Sequence, residues 1–300
     1  MLNTIKHKML NFHEKMNKIY ILLPVHNRRD LTEAFINCLT AQTYRNYHLI
    51  LIDDGSTDGT AELVQERIPS ATILKGQGNW WWAGGLQKGI EWLHGIPLHD
   101  RDIVLMINDD VTFDPYFLEK GAELLSQHPK TLIHSFAIGN KTGRIVNAGV
   151  KADLKKLKFE VATSDEETNC LATMGLFMRF EDLKQIGGFY PQLLPHYLSD
   201  YEFTIRAHRK GLQLLASPEL KILLNEDSTG MGISDIIRLP FAKFIKICFS
   251  KKFTMNPVHW SFFAILVCPK LSIPTRLISI WKVAFLLIIK NLIFNYFPNF

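Results

Sequence analysis

Acidic residues gather at three places where this chain leaves an apolar run or enters a helix. Residues 50–60 read ILIDDGSTDGT, residues 107–110 read INDD and residues 199–203 read SDYEF. Branched apolar residues at 49–52 lead straight into Asp53, the signature of a buried strand. Asp53 and Asp54 therefore stand just beyond its carboxyl end, where open α/β sheets hold their ligands. Two adjacent carboxylates there are costly unless a metal, a base edge or a sugar hydroxyl pairs with them. A second buried strand, residues 102–107, ends in Asn108, Asp109 and Asp110. One acid pair at a strand end can be a helix cap; two converging pairs point to a metal–nucleotide site. Carboxylate oxygens suit Mg2+ or Mn2+ held between protein and a diphosphate. Asp200 and Glu202 fall in the first turn of a helix, where they complement its macrodipole.

The elements that position these acids are legible in order. A strand IYILLPV follows Lys18 and stops at Pro24-Val25-His26-Asn27, and an amphipathic helix begins near Asp30 with Leu31, Ala34, Phe35, Cys38 and Leu39 on one face. The Asp53-Asp54 strand comes next, then a turn at Gly55–Thr57 in which Ser56 or Thr57 can cap a helix beginning near Thr60. A short strand at 72–74 completes β-α-β-α-β, the mark of a parallel sheet with right-handed crossovers. Residues 76–89, GQGNWWWAGGLQKG, have an unusual composition: the helix is expected to start at Gly84 or Gly85, and the three tryptophans either plug the sheet edge or close over a bound nucleotide or sugar. Pro115 is placed to open the next helix, strands are expected at 133–138, 144–150 and 172–177, residues 151–168 as a surface excursion, and helices at 180–186 and up to Lys210, with Gly211 as the stop.

The composition bounds the architecture. The chain has 300 residues, 47% hydrophobic, with a net charge of +5. That is enough to bury one core of roughly 200–250 residues plus an appendage. The charge is uneven: from Ile236 onward there are nine basic residues and no acidic one, which leaves the first 235 residues at −4. A mildly acidic body with a basic, apolar tail points to a membrane surface or nucleic acid as the tail's partner. The four cysteines are scattered, with no CxxC, which argues against zinc or a disulfide framework and for a reducing compartment. The first 17 residues are a polar lead-in rather than a secretory signal. Nucleic acid is not an expected partner, because the tail's basic residues alternate with large apolar ones.

Taken in order, PVHN at 24–27, IDDGSTDGT at 52–60, NDD at 108–110, ATMGLF at 172–177, GGF at 187–189 and SDYEF at 199–203 resemble the family 2 glycosyltransferases of the GT-A type. The likeness runs over residues 19–224. GNWWWAGG is similar to a bacterial subgroup linked to O-antigen, capsule or rhamnan-type polysaccharides. The resemblance implies an α/β Rossmann-like fold and a catalytic domain over residues 18–234. Its nucleotide-sugar half would be about 18–114 and its acceptor half about 115–234, followed by a helical tail over 235–300. It implies that Pro24, Val25 and Asn27 line the nucleotide, that Asp53 and Asp54 hold its base and ribose, and that Asn79, Gly85, Lys88, Asn108 and Asp109 complete the donor site. Asp110 would hold the metal, Mg2+ or Mn2+. Asp200 would be the base that deprotonates the acceptor hydroxyl, with Glu202, Tyr201 and Trp82 around the acceptor. Three positions depart from the family pattern: Asn108 opens the DxD motif, Ser199 stands for the usual glutamate, and residues 223–228 offer no histidine ligand.

The implied reaction moves a sugar from a UDP- or dTDP-sugar to a hydroxyl of a glycan or polyprenyl-linked acceptor, with inversion, in cell-surface polysaccharide assembly. A non-catalytic sugar-nucleotide- or lipid-binding relative is the alternative. An oxidoreductase would want GxGxxG at the first strand–helix turn, which PVHNRRD does not supply. In the tail, lysines interrupt every long apolar run, so helices lying in the membrane interface are expected, with packing on the body or on a second subunit of a homo-oligomer as the other use. Localisation is expected to be cytoplasmic, peripheral on the cytoplasmic face of the inner membrane.

Overall fold

The computed structural model describes residues 17–228 and 233–296; most of the expected lead-in lies outside them. Its centre is a nine-stranded mixed sheet. Strands β1 (Ile19–Val25), β2 (Tyr47–Asp53), β3 (Thr72–Lys75) and β4 (Ile103–Met106) run parallel in the order β3-β2-β1-β4. The sheet continues through β10 (Leu176–Arg179), β6 (Thr131–Gly139), β11 (Gln213–Leu224) and β5 (Val111–Phe113), with β7 (Ile145–Asn147) beside β6. β10 is antiparallel to both neighbours, so its amino end lies at the same edge as the carboxyl ends of β1, β2 and β4.

Alternation along the strands divides the core. Ile19, Ile21, Leu23, Leu49 and Leu51 face one side and pack against helices α1 (Arg29–Thr40), α2 (Thr60–Arg67) and α4 (Phe117–Gln127). Tyr20, Leu22, Ile50 and Ile52 face the other, beneath α3 (Trp81–His94), α5 (Phe180–Ile186) and α6 (Ser199–Arg209). A strand buried on both faces must be apolar throughout, which is why these segments read as continuous hydrophobic runs. Each fully buried aliphatic side chain contributes about 1.5–3 kcal/mol.

Several expectations shift. α3 starts at Trp81, earlier than Gly84, because a carboxylate caps it from outside. The cap of α2 comes from Asp58, whose Oδ1 accepts from Thr60 N at 3.1 Å, not from Ser56 or Thr57. The strand expected at 172–177 forms only at 176–179, after Gly175 takes φ +76°. The excursion at 151–168 contains a hairpin of β8 (Val150–Asp153) and β9 (Lys158–Val161). Gly211 ends α6 with φ +87°, as its position suggests.

The tail is helical: α7 (Ile233–Ile237), α8 (Phe241–Cys248), α9 (Pro257–Val267) and α10 (Ile273–Tyr296). Asn256 caps α9 by accepting from Val258 N and His259 N, with Pro257 at the first helical position. Phe263, Ala264 and Val267 of α9 pack into the body beside Cys170, Leu194 and Ile205. Arg209 of α6 donates to the Leu266 and Val267 carbonyls, completing that junction. α10 is long and apolar enough to cross a membrane, and little of it is covered by the rest of the protein. Its outward residues include Ile278, Trp281, Phe285 and Ile293.

Candidate functional site

The carboxyl end of β4 carries the acid pair. Asp109 and Asp110 are almost wholly buried, and one cation holds both: Arg28 places Nε 3.1 Å from Asp109 Oδ1 and an Nη 2.7 Å from Asp110 Oδ2. Thr32 adds a 3.3 Å hydrogen bond to Asp109 Oδ2. Burial pushes the Asp109 carboxyl up to about 7; Arg28 lowers it and Asp110 raises it further. Burial thus outweighs the attraction of Arg28 at Asp109. Arg28 was not expected from the sequence, although its place in the NRR step after the first strand was the available signal.

The Asp53-Asp54 turn is built differently from the expectation. Asp53 Oδ1 accepts from Ser56 N at 2.8 Å. Asp54 accepts four backbone N–H bonds: Oδ1 from Gly78 and Asn79 at 2.8 and 3.1 Å, Oδ2 from Trp80 and Trp81 at 2.8 and 3.0 Å. The Trp80 and Trp81 amides are orphan donors at the start of α3 and the other two lie in the loop before it, so Asp54 caps the helix and fixes the tryptophan loop. Both its oxygens are committed to the loop. Asn27, at φ +51°, ties this turn to β1: its Oδ1 accepts from Thr57 N at 2.8 Å and its N–H donates to Ser56 Oγ at 2.9 Å. His26 Nδ1 lies 2.7 Å from the Asp54 carbonyl. Pro24 and Val25 end β1 beside Ile52 and Asp53.

The third acid arrives from the other half. Asp200 opens α6, and burial pushes its carboxyl up to about 6 against the pull of backbone N–H groups. The segment before it is joined to the tryptophan loop. Ala83 N donates to the Pro195 carbonyl at 3.1 Å, the His196 ring lies 5.7 Å from that of Trp81, and Trp82 Nε1 donates to Thr173 Oγ1 at 3.0 Å. These contacts bring the segment that leads into α6 against the tryptophan loop that Asp54 caps.

Four expected residues are placed otherwise. Glu202 is buried and bound to Arg206 by two contacts of 2.8 and 2.9 Å, while Arg206 also donates to the Ile186 and Gly188 carbonyls. It braces α6 against α5. Tyr201 packs on Phe159 and the tail's aromatic cluster. A Cβ at Gly85 would come 3.3 Å from Pro24 Cβ, so that glycine serves helix–strand packing. Lys88 points to Glu91 at 2.8 Å, two turns along α3 from the site. Asn79 is exposed in the loop, and Asn108 Oδ1 is buried with no hydrogen-bond partner among the described residues.

No cluster of three or more His, Cys, Asp or Glu side chains is placed to hold a metal among the described residues. Two carboxylates, an orphaned amide oxygen and a raised Asp109 nevertheless fit a divalent cation of the Mg2+ type, which binds through one or two carboxylates and completes its shell with substrate phosphates and water.

The sequence matches the model of glycosyl transferase family 2 over residues 20–187, more than half of the chain. The chain is 24% identical over 206 residues to the glycosyltransferase AglE of Haloferax volcanii, matching 65% of its own length and 63% of that relative. It thus spans less than two thirds of the curated relatives it matches. Among solved structures, a mannosyltransferase from Pyrobaculum calidifontis in complex with GDP-Man and Mn2+ superposes with TM-score 0.54 and 15% identity, over 88% of this chain and 73% of that one. S. aureus TarS with UDP-GlcNAc gives 0.55 and 13%, over 88% and 79%. The fold is therefore of the GT-A type, a mostly parallel sheet flanked by helices, and the chain belongs to glycosyl transferase family 2.

Proposed function

We propose that the protein is an inverting glycosyltransferase that moves a sugar from a UDP- or dTDP-sugar to a hydroxyl of a glycan or polyprenyl-linked acceptor during cell-surface polysaccharide assembly, of the O-antigen or capsule kind. One observation carries the reading: the segment that leads into α6 and Asp200, whose carboxyl is raised to about 6, is joined to the tryptophan loop that Asp54 holds beside Asp53. A group with that affinity for protons is largely ionised at neutral pH and still basic enough to take one, as a general base must be.

In this reading Asp53, Pro24 and Val25 receive the nucleoside. Asp110, with Asp109 and Asn108 beside it, holds a divalent cation together with the diphosphate. A bound Mg2+ or Mn2+ offsets the charge that develops on the departing diphosphate. Arg28, which holds the acid pair here, would be free to meet phosphate oxygens, a group its guanidinium matches in geometry, where a cation took its place on those acids. Asp200 takes the proton of the acceptor hydroxyl; the oxygen attacks the anomeric carbon opposite the diphosphate, the C–O bond to phosphate breaks, and the centre inverts. A single catalytic carboxylate suffices, unlike the acid–base pairs of glycosidases. Asp54 and Glu202 act by holding the tryptophan loop and α6 in place. The basic, apolar tail would keep the enzyme on the cytoplasmic face of the membrane, where a polyprenyl-linked acceptor resides.

The test is release of nucleoside diphosphate from a panel of UDP-, dTDP- and GDP-sugars with Mn2+ or Mg2+. Turnover of one donor by the wild type, lost in Asp110→Ala and Asp200→Asn, supports the reading. Tight donor binding that never leads to transfer to any offered acceptor would favour the non-catalytic alternative instead.

A further inference from the structure

The tail does more than pack against the body, because it sends two lysines back to the mouth of the crevice. Lys251 and Lys252 lie in the turn between α8 and α9, and their Nζ atoms are 5.6 and 5.8 Å from the Trp81 ring centroid. The turn is held in place: Phe253 is buried in the tail's own apolar cluster, and Asn256 Nδ2 donates to the Ser250 carbonyl at 3.0 Å. Trp81 is equally constrained. It is a non-glycine residue at φ +59°, kept there by the hydrogen bond from its N–H to Asp54. Backbone strain of this kind persists only where surroundings enforce it, and it collects at binding sites.

The side chains around the Trp81 ring are basic. The His196 ring packs on Trp81, and its buried Nδ1 has no hydrogen-bond partner among the described residues. Burial, Lys252 and His259 together lower His196 to about 4, and burial and Lys251 lower His259, which places all four groups in one electrostatic neighbourhood. Among the described residues neither lysine is ion-paired with a carboxylate. Two ammonium groups drawn to one indole, neither paired with a carboxylate, repel each other, and a bound anion relieves that repulsion.

We propose that Lys251, Lys252, Trp81 and His196 form a phosphate-binding site at the mouth of the crevice, with the tail supplying its charge. The chemistry fits a phosphate or diphosphate group, arriving either on the sugar donor or on a lipid that the exposed apolar side of α10 would bring to the same edge. Assigning that phosphate to a substrate rests on the transferase reading; the existence of the site does not. His196, one wall of the site, lies in the segment that leads into α6, the helix that carries the proposed base.

The experiment is binding without turnover, in EDTA, followed by calorimetry and tryptophan fluorescence. The probes are inorganic pyrophosphate and dihexanoyl phosphatidic acid below its micelle concentration. The wild type is expected to bind at least one, and Lys251→Gln/Lys252→Gln to weaken that binding about tenfold or more, the loss of charge-assisted contacts. Lys282→Gln/Lys290→Gln, on α10, is expected to bind as the wild type does. Preference for pyrophosphate identifies a donor-like group, and preference for the lipid phosphate identifies the lipid. Binding of neither probe by the wild type, or equal binding by the Lys251/Lys252 variant, overturns the proposal. Intact phosphate binding with no sugar-nucleotide turnover would sink the transferase reading and leave this site standing.

Discussion

Asp200 and Arg28 each hold a charge in a poor place, and stability should record it. Asp200 is raised from the usual 3.8 to about 6 by burial. Between those two values the folded protein holds a proton the unfolded chain has released, so stability is fullest below about pH 4 and declines as pH rises through 6. Asp200→Asn removes the ionisable group. It should therefore raise the melting temperature at pH 7–8, by on the order of 1–3 kcal/mol in stability, with no gain near pH 4. The same change should lower transfer by roughly 10²–10⁴-fold, and wild-type transfer should fall away below about pH 6 as the base protonates. A variant less stable than the wild type at pH 8 would mean the carboxylate is satisfied rather than strained. Arg28 gives the complementary case. Arg28→Gln strands two buried acids, and breaking such a pair costs about 3–5 kcal/mol when fully buried, less here because Arg28 is partly exposed. In EDTA the variant should melt well below the wild type, and added Mn2+ should restore more of the loss than it adds to the wild type. Equal Mn2+ shifts in both proteins would show that cation and guanidinium do not compete.

At the scale of elements, the strands were legible and the connections between helix and turn were not. Runs such as IYILLPV and LILID declare a doubly covered parallel strand in their composition alone. The start of α3 did not, because its cap comes from Asp54, more than twenty residues earlier in the chain. Hydrogen bonds at that separation leave no local pattern. The same blindness hid the backbone partners of Asp54 and the Arg206 partner of Glu202, since an acid in a loop or a first turn looks alike whether it meets a sugar or a backbone. β5 and the β8–β9 hairpin were missed because VTF follows the acid pair directly and the hairpin is so rich in lysine and acid that it reads as a charged surface segment. The role of Asp54 is testable. Asp54→Asn keeps one acceptor oxygen but turns the other position into a donor facing the Trp80 and Trp81 amides. It should cost about 2–4 kcal/mol, the sum of an N-cap loss and an unsatisfied buried donor, and should open residues 76–81 to proteolysis and shift tryptophan fluorescence. If Asp54→Asn leaves melting temperature and fluorescence unchanged and only weakens nucleotide binding, Asp54 is a ligand after all.

The whole molecule is divided by charge and by exposure along the same line. The body is slightly acidic, while everything from Ile236 onward is basic, and the largest outward apolar side chains of the tail lie along α10. α9 explains why the tail cannot simply be a detachable anchor: Phe263, Ala264 and Val267 are buried in the body, and the Lys251–Lys252 turn reaches the crevice. An α10 that contacts a bilayer would thus hold the site's open edge at a fixed distance from the lipid. Two forces should then act together on membrane binding. The electrostatic part, from lysines near anionic headgroups, weakens as the Debye length falls from about 10 Å at 0.1 M salt to about 3 Å at 1 M. The apolar part does not. Flotation with anionic vesicles should therefore decline with salt but survive it in part, and Ile278→Glu/Phe285→Glu should abolish the surviving part. Both side chains are more than half exposed, so that double change should leave the melting temperature where it was. Should the variant float as well as the wild type at 1 M salt while losing a dimer seen in solution, the apolar side of α10 faces a second copy of the chain and not the membrane.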